Sequence, residues 1–263
     1  MQSHVEYRVF EFVKESIASQ LDADDNKDSV AVKAMHFCHH LMSFEGHSYA
    51  PAADLGLPGF FHSTTIDLLT ARGACGSYSE VLGRMIASYD YPVRIGQMKA
   101  RGASAAHTVL EVWTESSWIV LDPTYDLYFI RPDHRIASFE DVERNWPLYA
   151  TQVPEGYNKE YQYEGVRYTN WSKIPILMPF CKMLLDISIG QARADKICLR
   201  SHFLSPYRTL YHVLLYIYIS LLALQCVRLY RKRFLRSKTR KIDLPDSNPP
   251  ASIIRFGAGT KVS

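Results

Sequence analysis

The sequence predicts an α+β fold, in which a helical N-terminal part packs on a small antiparallel sheet, followed by a transmembrane helix near the C-terminus. Three observations support this prediction. Apolar residues recur at helical spacing before residue 90, two strand-like runs flank a polar loop at 114–117, and 209–227 contains no charged residue. At 263 residues the chain is long enough for one medium domain and an appendage.

The helices are predicted from their apolar spacing and their turn residues. Residues 5–43 are expected to form two helices separated by the polar turn at 22–28. The segment 44–72 is rich in Pro and Gly and predicts loops, with a short helix near 65–71. Residues 138–145 are expected to form another helix, because Ser138-Phe139-Glu140-Asp141 is typical of a helix start.

A further helix is expected to begin at Cys75. Apolar side chains follow at intervals of three and four residues, at Tyr78, Val81, Leu82, Met85, Ile86 and Tyr89. Cys75 is then a first-turn residue, where unpaired backbone N–H groups and the helix dipole favour a thiolate. The small neighbours Gly73, Ala74 and Gly76 leave room for a substrate carbonyl. The alternative is that Cys75 is a small buried hydrophobic residue, as lone cysteines often are.

Two predicted strands supply partners for this cysteine. The runs 107–113 and 118–122 read as a hairpin closed by the loop at 114–117. If Trp113 pairs with Trp118, paired residue numbers sum to 231 and Asp122 lies opposite Val109. Because alternate residues share a face, Asp122 becomes a diagonal neighbour of His107.

Cys75, His107 and Asp122 therefore form a candidate catalytic triad for nucleophilic acyl chemistry. A carboxylate beside His107 would hold the imidazole tautomer and stabilise the imidazolium. Taken singly, His107 could be a hydrogen-bonded strand histidine and Asp122 a turn residue before Pro123. The joint arrangement is harder to explain by chance, so we favour the catalytic interpretation.

The same region resembles the transglutaminase-like superfamily. The resemblance is carried by the runs 73–78 (GACGSY), 91–94 (YPVR), 107–112 (HTVLEV) and 118–124 (WIVLDPT), and it covers about residues 30–130. It implies a papain-like transglutaminase core with Cys75, His107 and Asp122 as the catalytic residues. The chain departs from the family at two points. Asp90-Tyr91 stands where the family often has glycine, and no tryptophan precedes Cys75 to contribute to an oxyanion hole, although the Cys75 N–H is available.

These observations lead us to expect thiol-dependent acyl transfer or hydrolysis at an amide carbonyl of a peptide or protein substrate. Water would release the acyl group in a cysteine protease or amidase, whereas an amine would do so in a transglutaminase. The sequence does not choose between them. The alternative from another class is a catalytically silent domain that acts as a membrane-bound interaction module. We expect no cofactor and no bound metal.

Other residues that often carry chemistry give weaker signals. Five cysteines are scattered along the chain and do not suggest a disulfide framework: Cys38, Cys75, Cys181, Cys198 and Cys226. His36 and His40 are one helical turn apart and could bind a metal with Cys38 or His47, but packing of that helix face on the core is preferred. The aromatic segment 146–171 either lines a substrate cleft or, as we prefer, packs as a belt on the core.

The C-terminal part predicts attachment to a membrane. We expect a catalytic domain over 1–173, a connector over 174–206, a transmembrane helix over 207–227 and a disordered basic tail over 228–263. Eight basic and no acidic residues lie between Arg228 and Lys241, so the formal charge of +3 becomes −5 without them, which argues against nucleic acid as a partner.

The sequence does not decide on which side of the membrane the catalytic domain lies. A single span with a cytoplasmic basic tail would place the catalytic domain outside, yet the N-terminus lacks the pattern of a cleavable signal peptide. The apolar stretch 174–190, interrupted by Lys182 and Asp186, lies at the membrane surface or packs on the domain. If it also crossed, both ends of the chain would be cytoplasmic. Four basic residues between the two apolar stretches would then lie on the far side, against the positive-inside rule: Arg193, Lys196, Arg200 and Arg208.

Overall fold

The computed structural model describes residues 2–43, 64–70, 74–115, 117–204 and 206–242. The chain divides after Leu210 into two compact units. The first unit combines helices with an antiparallel sheet, which confirms the predicted α+β class. The loops expected at 44–63 and 71–72 lie outside the described residues.

Two long helices open the first unit, as predicted. Helix α1 comprises Gln2–Ala18 and α2 comprises Lys27–Ser43. The polar turn between them supplies a cap for α2, because Asn26 Oδ1 accepts a hydrogen bond from the Ser29 N–H at 2.9 Å. This bond satisfies one of the backbone donors that the first turn of a helix leaves unpaired.

Two further helices precede the sheet. Helix α3 comprises Thr64–Thr70, close to the short helix predicted near 65–71. Helix α4 comprises Cys75–Ala87 and begins at the predicted residue. Its predicted apolar face is buried at four positions: Val81, Leu82, Met85 and Ile86. Burial of this face fixes α4 against the sheet and so fixes the position of its first residue.

The sheet has the order β4-β3-β2-β1-β5, and every pair of neighbours is antiparallel. Its strands β1 to β5 comprise, in chain order, Val93–Ala100, Ala103–Trp113, Trp118–Asp122, Leu127–Tyr128 and Val166–Arg167. Strand β2 starts four residues before the predicted run, so His107 lies inside the strand instead of at its head. His107 is therefore held by a strand that lies between β1 and β3, and it pairs with Met98 of β1.

The predicted register of the β2–β3 hairpin is confirmed. Trp113 pairs with Trp118 and Leu110 with Leu121, so paired residue numbers sum to 231. The hairpin turn closes with a hydrogen bond of 3.1 Å from the Thr114 N–H to the Ser117 carbonyl. By strand alternation, His107 and Asp122 project from the same face of the sheet.

Both faces of the central strands are covered. One face packs with α1, α2 and α4 through Ile95, Leu110, Val112, Ile119 and Leu121. The opposite face carries Met98, Val109 and Val120, which pack with the later part of the unit, including Phe129, Phe139, Tyr149 and Tyr163. Most of the expected aromatic belt is therefore present, since Tyr149, Tyr157, Tyr163 and Tyr168 are buried.

Arg94, the arginine of the Tyr91-Pro92-Val93-Arg94 run, makes a buried ion pair across β1 and β2. Its Nε and Nη2 donate to the two carboxylate oxygens of Glu111 at 2.8 and 3.1 Å. The guanidinium lies between the rings of Trp118 and Tyr168, at 4.0 and 4.4 Å from their centroids, and the Tyr168 hydroxyl donates to Glu111. Removal of either partner would destabilise the fold, because the other charge would be left buried without a counter-charge.

The remaining helices of the first unit follow the sheet. Helix α5 comprises Phe139–Arg144 and has the predicted start, a capping box between Ser138 and Asp141. Helix α6 comprises Trp146–Tyr149, α7 comprises Leu177–Ile189, and α8 comprises Gln191–Ala194. A 3-10 helix over Arg200–Phe203 follows α8.

The folded unit extends beyond the boundary predicted at residue 173. Ala194, Cys198 and Leu204 are buried, and Cys198 and Leu204 belong to the helical core. Thr169 Oγ1 donates to the Ile197 carbonyl at 2.6 Å, which ties this segment to the main chain before it. The apolar stretch at 174–190 favours a boundary before it, because hydropathy alone does not show that the chain returns to the core beyond it.

The second unit contains most of one long helix. Helix α9 comprises Pro206–Ile242, and its segment Tyr211–Arg231 is long and apolar enough to cross a membrane. The helix continues past the predicted end at Val227, so residues 228–242 are helical where a disordered tail was predicted. Arg and Lys are good helix formers, and this basic run contains neither Gly nor Pro to stop the helix. Residues 243–263 lie outside the described residues.

Candidate active site

Cys75 is the first residue of α4 and is half-buried. Its neighbour Ala74 has an extended backbone, with φ −76° and ψ 178°, so the chain turns into the helix immediately before the sulfur. The Ser77 N–H already bonds the Ala74 carbonyl at 2.9 Å. The N–H groups of Cys75 and Gly76 precede it, and helix geometry gives them no carbonyl within the helix. They are donors available to an oxygen bound beside the sulfur.

His107 and Asp122 are joined as the register predicts. His107 Nε2 and Asp122 Oδ2 are 2.7 Å apart, and their side chains are 2% and 0% exposed. The second carboxylate oxygen of Asp122 accepts from the Thr124 N–H at 3.1 Å. The carboxylate is thereby fixed at both oxygens, and it orients the imidazole.

An irregularity in β2 adjoins the histidine. Met98 pairs with His107, but Lys99 pairs with Ser104, so two extra residues of β2 lie between these pairs. Bulges of this kind re-aim side chains and occur often beside active sites. Alternation of apolar residues gave no sign of it in the sequence.

The sulfur of Cys75 completes the arrangement. It lies beside the side chain of His107 and beside Thr108, close enough for both residues to lower the pKa of the thiol. Since Nε2 of His107 faces Asp122, its Nδ1 is the ring nitrogen left for the sulfur. A buried bond of 3.0 Å from Ser79 Oγ to the Thr108 carbonyl holds α4 against β2 at this point. The three predicted residues thus lie together, with His107 between Cys75 and Asp122.

The electrostatics of the pair favour its charged form. Burial tends to raise the pKa of the Cys75 thiol, but the hydrogen bond and charge of His107 and the hydrogen bonds from Thr108 lower it below the usual value. Burial tends to lower the pKa of His107, whereas its hydrogen bonds with Asp122 and Cys75 raise it to about 9. Together these shifts favour a thiolate–imidazolium pair near neutral pH.

Aromatic side chains flank the imidazole. The ring of Tyr161 stacks on His107, with centroids 4.6 Å apart and planes 11° from parallel, and Tyr125 lies 5.6 Å away. The Tyr157 hydroxyl donates to the Tyr161 carbonyl at 3.1 Å and so holds that loop in place. Tyr161 and Tyr125 are themselves half-buried. One part of the aromatic segment 146–171 therefore borders the site, although most of it packs in the core.

Arg200 also lies near the site, and the sequence did not indicate this. Its Nε donates to Glu80 of α4 at 2.5 Å. A Cβ on Gly76 would lie 3.3 Å from Arg200 Nη2, so the guanidinium is next to the residue that follows Cys75. The arginine is 125 positions from Cys75 along the chain, and no local pattern could have linked the two.

Two of the residues considered for a metal site, His36 and Cys38, make other contacts. His36 Nδ1 pairs with Asp126 Oδ1 at 2.7 Å. Cys38 is buried, its thiol donates to the Tyr78 carbonyl at 3.7 Å, and burial raises its pKa. His47 lies outside the described residues. Within the described part of the chain, no three His, Cys, Asp or Glu side chains are grouped to hold a metal ion.

Comparison with known proteins does not add to this geometry. No protein-family model, curated protein or solved structure matches the chain.

Proposed function

We propose that the protein is a membrane-attached thiol enzyme, with a papain-like, transglutaminase-like core, that transfers or hydrolyses an acyl group at an amide carbonyl. One observation carries the proposal: His107 bonds the buried carboxylate of Asp122 and also interacts with the thiol of Cys75, which is the first residue of a helix. A nucleophile, a base and a group that orients the base are the parts that covalent acyl transfer requires.

The first half of the reaction forms an acyl-enzyme. The Cys75 thiolate attacks the carbonyl carbon, and the resulting oxyanion accepts hydrogen bonds from the N–H groups at the start of α4. The His107 imidazolium then donates its proton to the leaving nitrogen as the C–N bond breaks. A thioester on Cys75 and a free amine result, and Asp122 keeps the imidazole oriented throughout.

The second half regenerates the thiolate. His107, now neutral, takes a proton from water or from an amine as that molecule attacks the thioester carbonyl. Collapse of the tetrahedral intermediate releases a carboxylic acid or a new amide, and the C–S bond breaks to restore the thiolate–imidazolium pair. The acceptor decides whether the enzyme is a hydrolase or a transferase.

We place the protein in a membrane through α9, as a single span with a cytoplasmic basic tail. The segment Tyr211–Arg231 has the length and hydropathy that a span requires, and the basic residues from Arg228 onward suit anionic headgroups. The rest of the chain is acidic, so peptide or protein amides are better candidate partners than nucleic acid.

An ester assay with two acceptors tests the proposal. Full-length protein is incubated with p-nitrophenyl esters of short acyl peptides, with or without a primary amine. We expect a burst of nitrophenolate that matches the amount of enzyme, with the acyl group on Cys75. Diversion of product to the amide identifies a transferase, and its absence identifies a hydrolase.

The matched control replaces a cysteine outside the site. Cys181 lies on α7 and is half-buried, as Cys75 is. We expect Cys181→Ala to keep the burst and Cys75→Ala to lose it. A burst that survives Cys75→Ala, or no burst with any ester, would leave the catalytically silent interaction module as the better account.

A further inference from the structure

Helix α7 exposes its apolar side. None of its 13 residues is buried. A stripe of large apolar side chains, each 46–86% exposed, runs along one side of the helix and the residue before it: Ile176, Leu177, Phe180, Met183, Leu184 and Ile187. At about 100° per residue these positions cover roughly one third of the helix circumference. A helix that packs on a core would bury such a stripe.

The charges of α7 lie on the other side. Lys182 Nζ pairs with Asp186 at 2.8 Å and with Asp195 at 2.9 Å. At 100° per residue, Lys182 and Asp186 fall about 120–160° around the helix from the centre of the stripe. Asp195 lies between two buried residues, Ala194 and Cys198, which anchor this segment in the protein. The helix thus turns its charges toward the protein and its apolar side away from it.

We propose that α7 is an in-plane membrane anchor whose apolar stripe lies in the lipid interface. The proposal rests on the membrane attachment proposed for α9 and is independent of catalysis at Cys75. Only 21 residues separate Ile189 from Tyr211, where the candidate span begins, so α7 is tethered within reach of a bilayer. Exposed Lys173 and Arg193 flank the helix, and long basic side chains at such positions can extend to the polar headgroups while their stems stay on apolar surface.

The alternatives to an in-plane position fit the helix less well. Thirteen residues give a length of about 20 Å, short of the roughly 30 Å of a hydrocarbon core. A spanning position would also bury Lys182 and Asp186 in lipid, which is costly. An interfacial helix instead places its apolar side roughly 5–10 Å into the headgroup–acyl boundary and keeps its polar side out. Such an anchor would hold the catalytic unit at the membrane surface.

Tryptophan reporters in the full-length chain test this proposal. Phe180→Trp places the reporter on the stripe, and Phe12→Trp is the matched control, since Phe12 is 70% exposed on α1. Leu221→Trp reports on the candidate span itself. Each variant is reconstituted in phosphatidylcholine–phosphatidylglycerol vesicles and compared with the wild-type background by quenching with brominated lipids and with aqueous iodide.

We expect brominated lipids to reduce the added fluorescence of Phe180→Trp, most strongly when bromine lies near the headgroup end of the acyl chain. Phe12→Trp should respond to iodide alone, and Ile187→Trp should repeat the result of Phe180→Trp. If Leu221→Trp is quenched by brominated lipids and Phe180→Trp by iodide only, the anchor is refuted while the span stands. Protection of Phe180→Trp from both quenchers would show that protein covers the stripe, and this too would refute the proposal.

Discussion

Replacement of Asp122 by Asn tests the coupling within the proposed triad. The change keeps the size of the side chain and removes the negative charge 2.7 Å from His107 Nε2. His107 has a pKa raised to about 9, against an ordinary value of about 6.5. A difference of this size corresponds to about 3 kcal/mol in favour of the imidazolium. The hydrogen bond that His107 donates to Asp122 is a principal cause of the increase in pKa, so the variant should lose a large part of that increase.

The loss should reach the sulfur through His107. The imidazolium lowers the pKa of Cys75, and without it the thiol should return toward its ordinary pKa of about 8.5. The thiolate would then be roughly 1% of the population at pH 6.5. Alkylation of Cys75 at that pH should fall by as much as about 100-fold, and kcat/KM should fall by roughly 10⁴ by analogy with other triads.

Alkylation by iodoacetamide is followed between about pH 5 and 10 by mass spectrometry of the peptide that contains Cys75. The control is Asp126→Asn, which makes the same chemical change at the other His–Asp pair, where Asp126 contacts His36 at 2.7 Å. We expect the control to keep the wild-type profile. An Asp122→Asn profile identical to wild type would refute the coupling of the carboxylate to the sulfur.

The pH dependence of protein stability tests the coupling between Asp122 and His107 independently. A raised pKa of His107 contributes stability that is fully present below about pH 6.5 and is lost as pH rises through about 9. Asp122→Asn removes much of this contribution. The difference in free energy of unfolding between wild type and variant should therefore be larger at about pH 6 than at about pH 10. A constant difference across this range would contradict the assignment.

Three further predictions follow from the core and the boundaries of the fold. Cys75→Ala should abolish acyl transfer and leave the melting temperature nearly unchanged, which the ester assay and calorimetry check, because the side chain is small and half-buried. Glu111→Gln should lower the free energy of unfolding by about 3–5 kcal/mol in denaturant titrations, because Arg94 loses its buried partner; a loss below about 1 kcal/mol would contradict this. Deletion of 207–263 should give a folded protein that keeps reactive Cys75 and that alkaline carbonate releases from membranes, whereas deletion from 174 should cause misfolding, because it also removes buried Leu204; a folded, reactive product of the longer deletion would contradict this prediction.

The part of the site that lies on short, regular elements could be predicted from the sequence. The start of α4 follows from apolar spacing, which a helix imposes on every core-facing residue. The proximity of His107 to Asp122 follows from one assumed pair, Trp113 with Trp118, because a hairpin with a short loop leaves little freedom in register. Local rules were sufficient for these two features, because the residues that define each of them are close along the chain.

The remaining features depend on contacts between distant segments. Tyr161 reaches His107 from 54 positions away, and Arg200 reaches Gly76 from 124 positions away. Neither belongs to a periodic pattern that identifies its partner. The burial of Cys198 and Leu204 was missed for a related reason, since hydropathy alone does not tell a segment that returns to the core from one that leaves it.

If Cys75 is the nucleophile, it should react faster than the other four cysteines of the chain. Full-length protein is treated at neutral pH with an amide-mimicking, thiol-directed electrophile, and the adduct on each cysteine is quantified over time by mass spectrometry. We expect Cys75 to react first, and we expect His107→Ala to slow the labelling of Cys75 to the rate of the other cysteines. Faster labelling of Cys181 or of Cys226, which is more exposed than Cys75, would contradict this expectation.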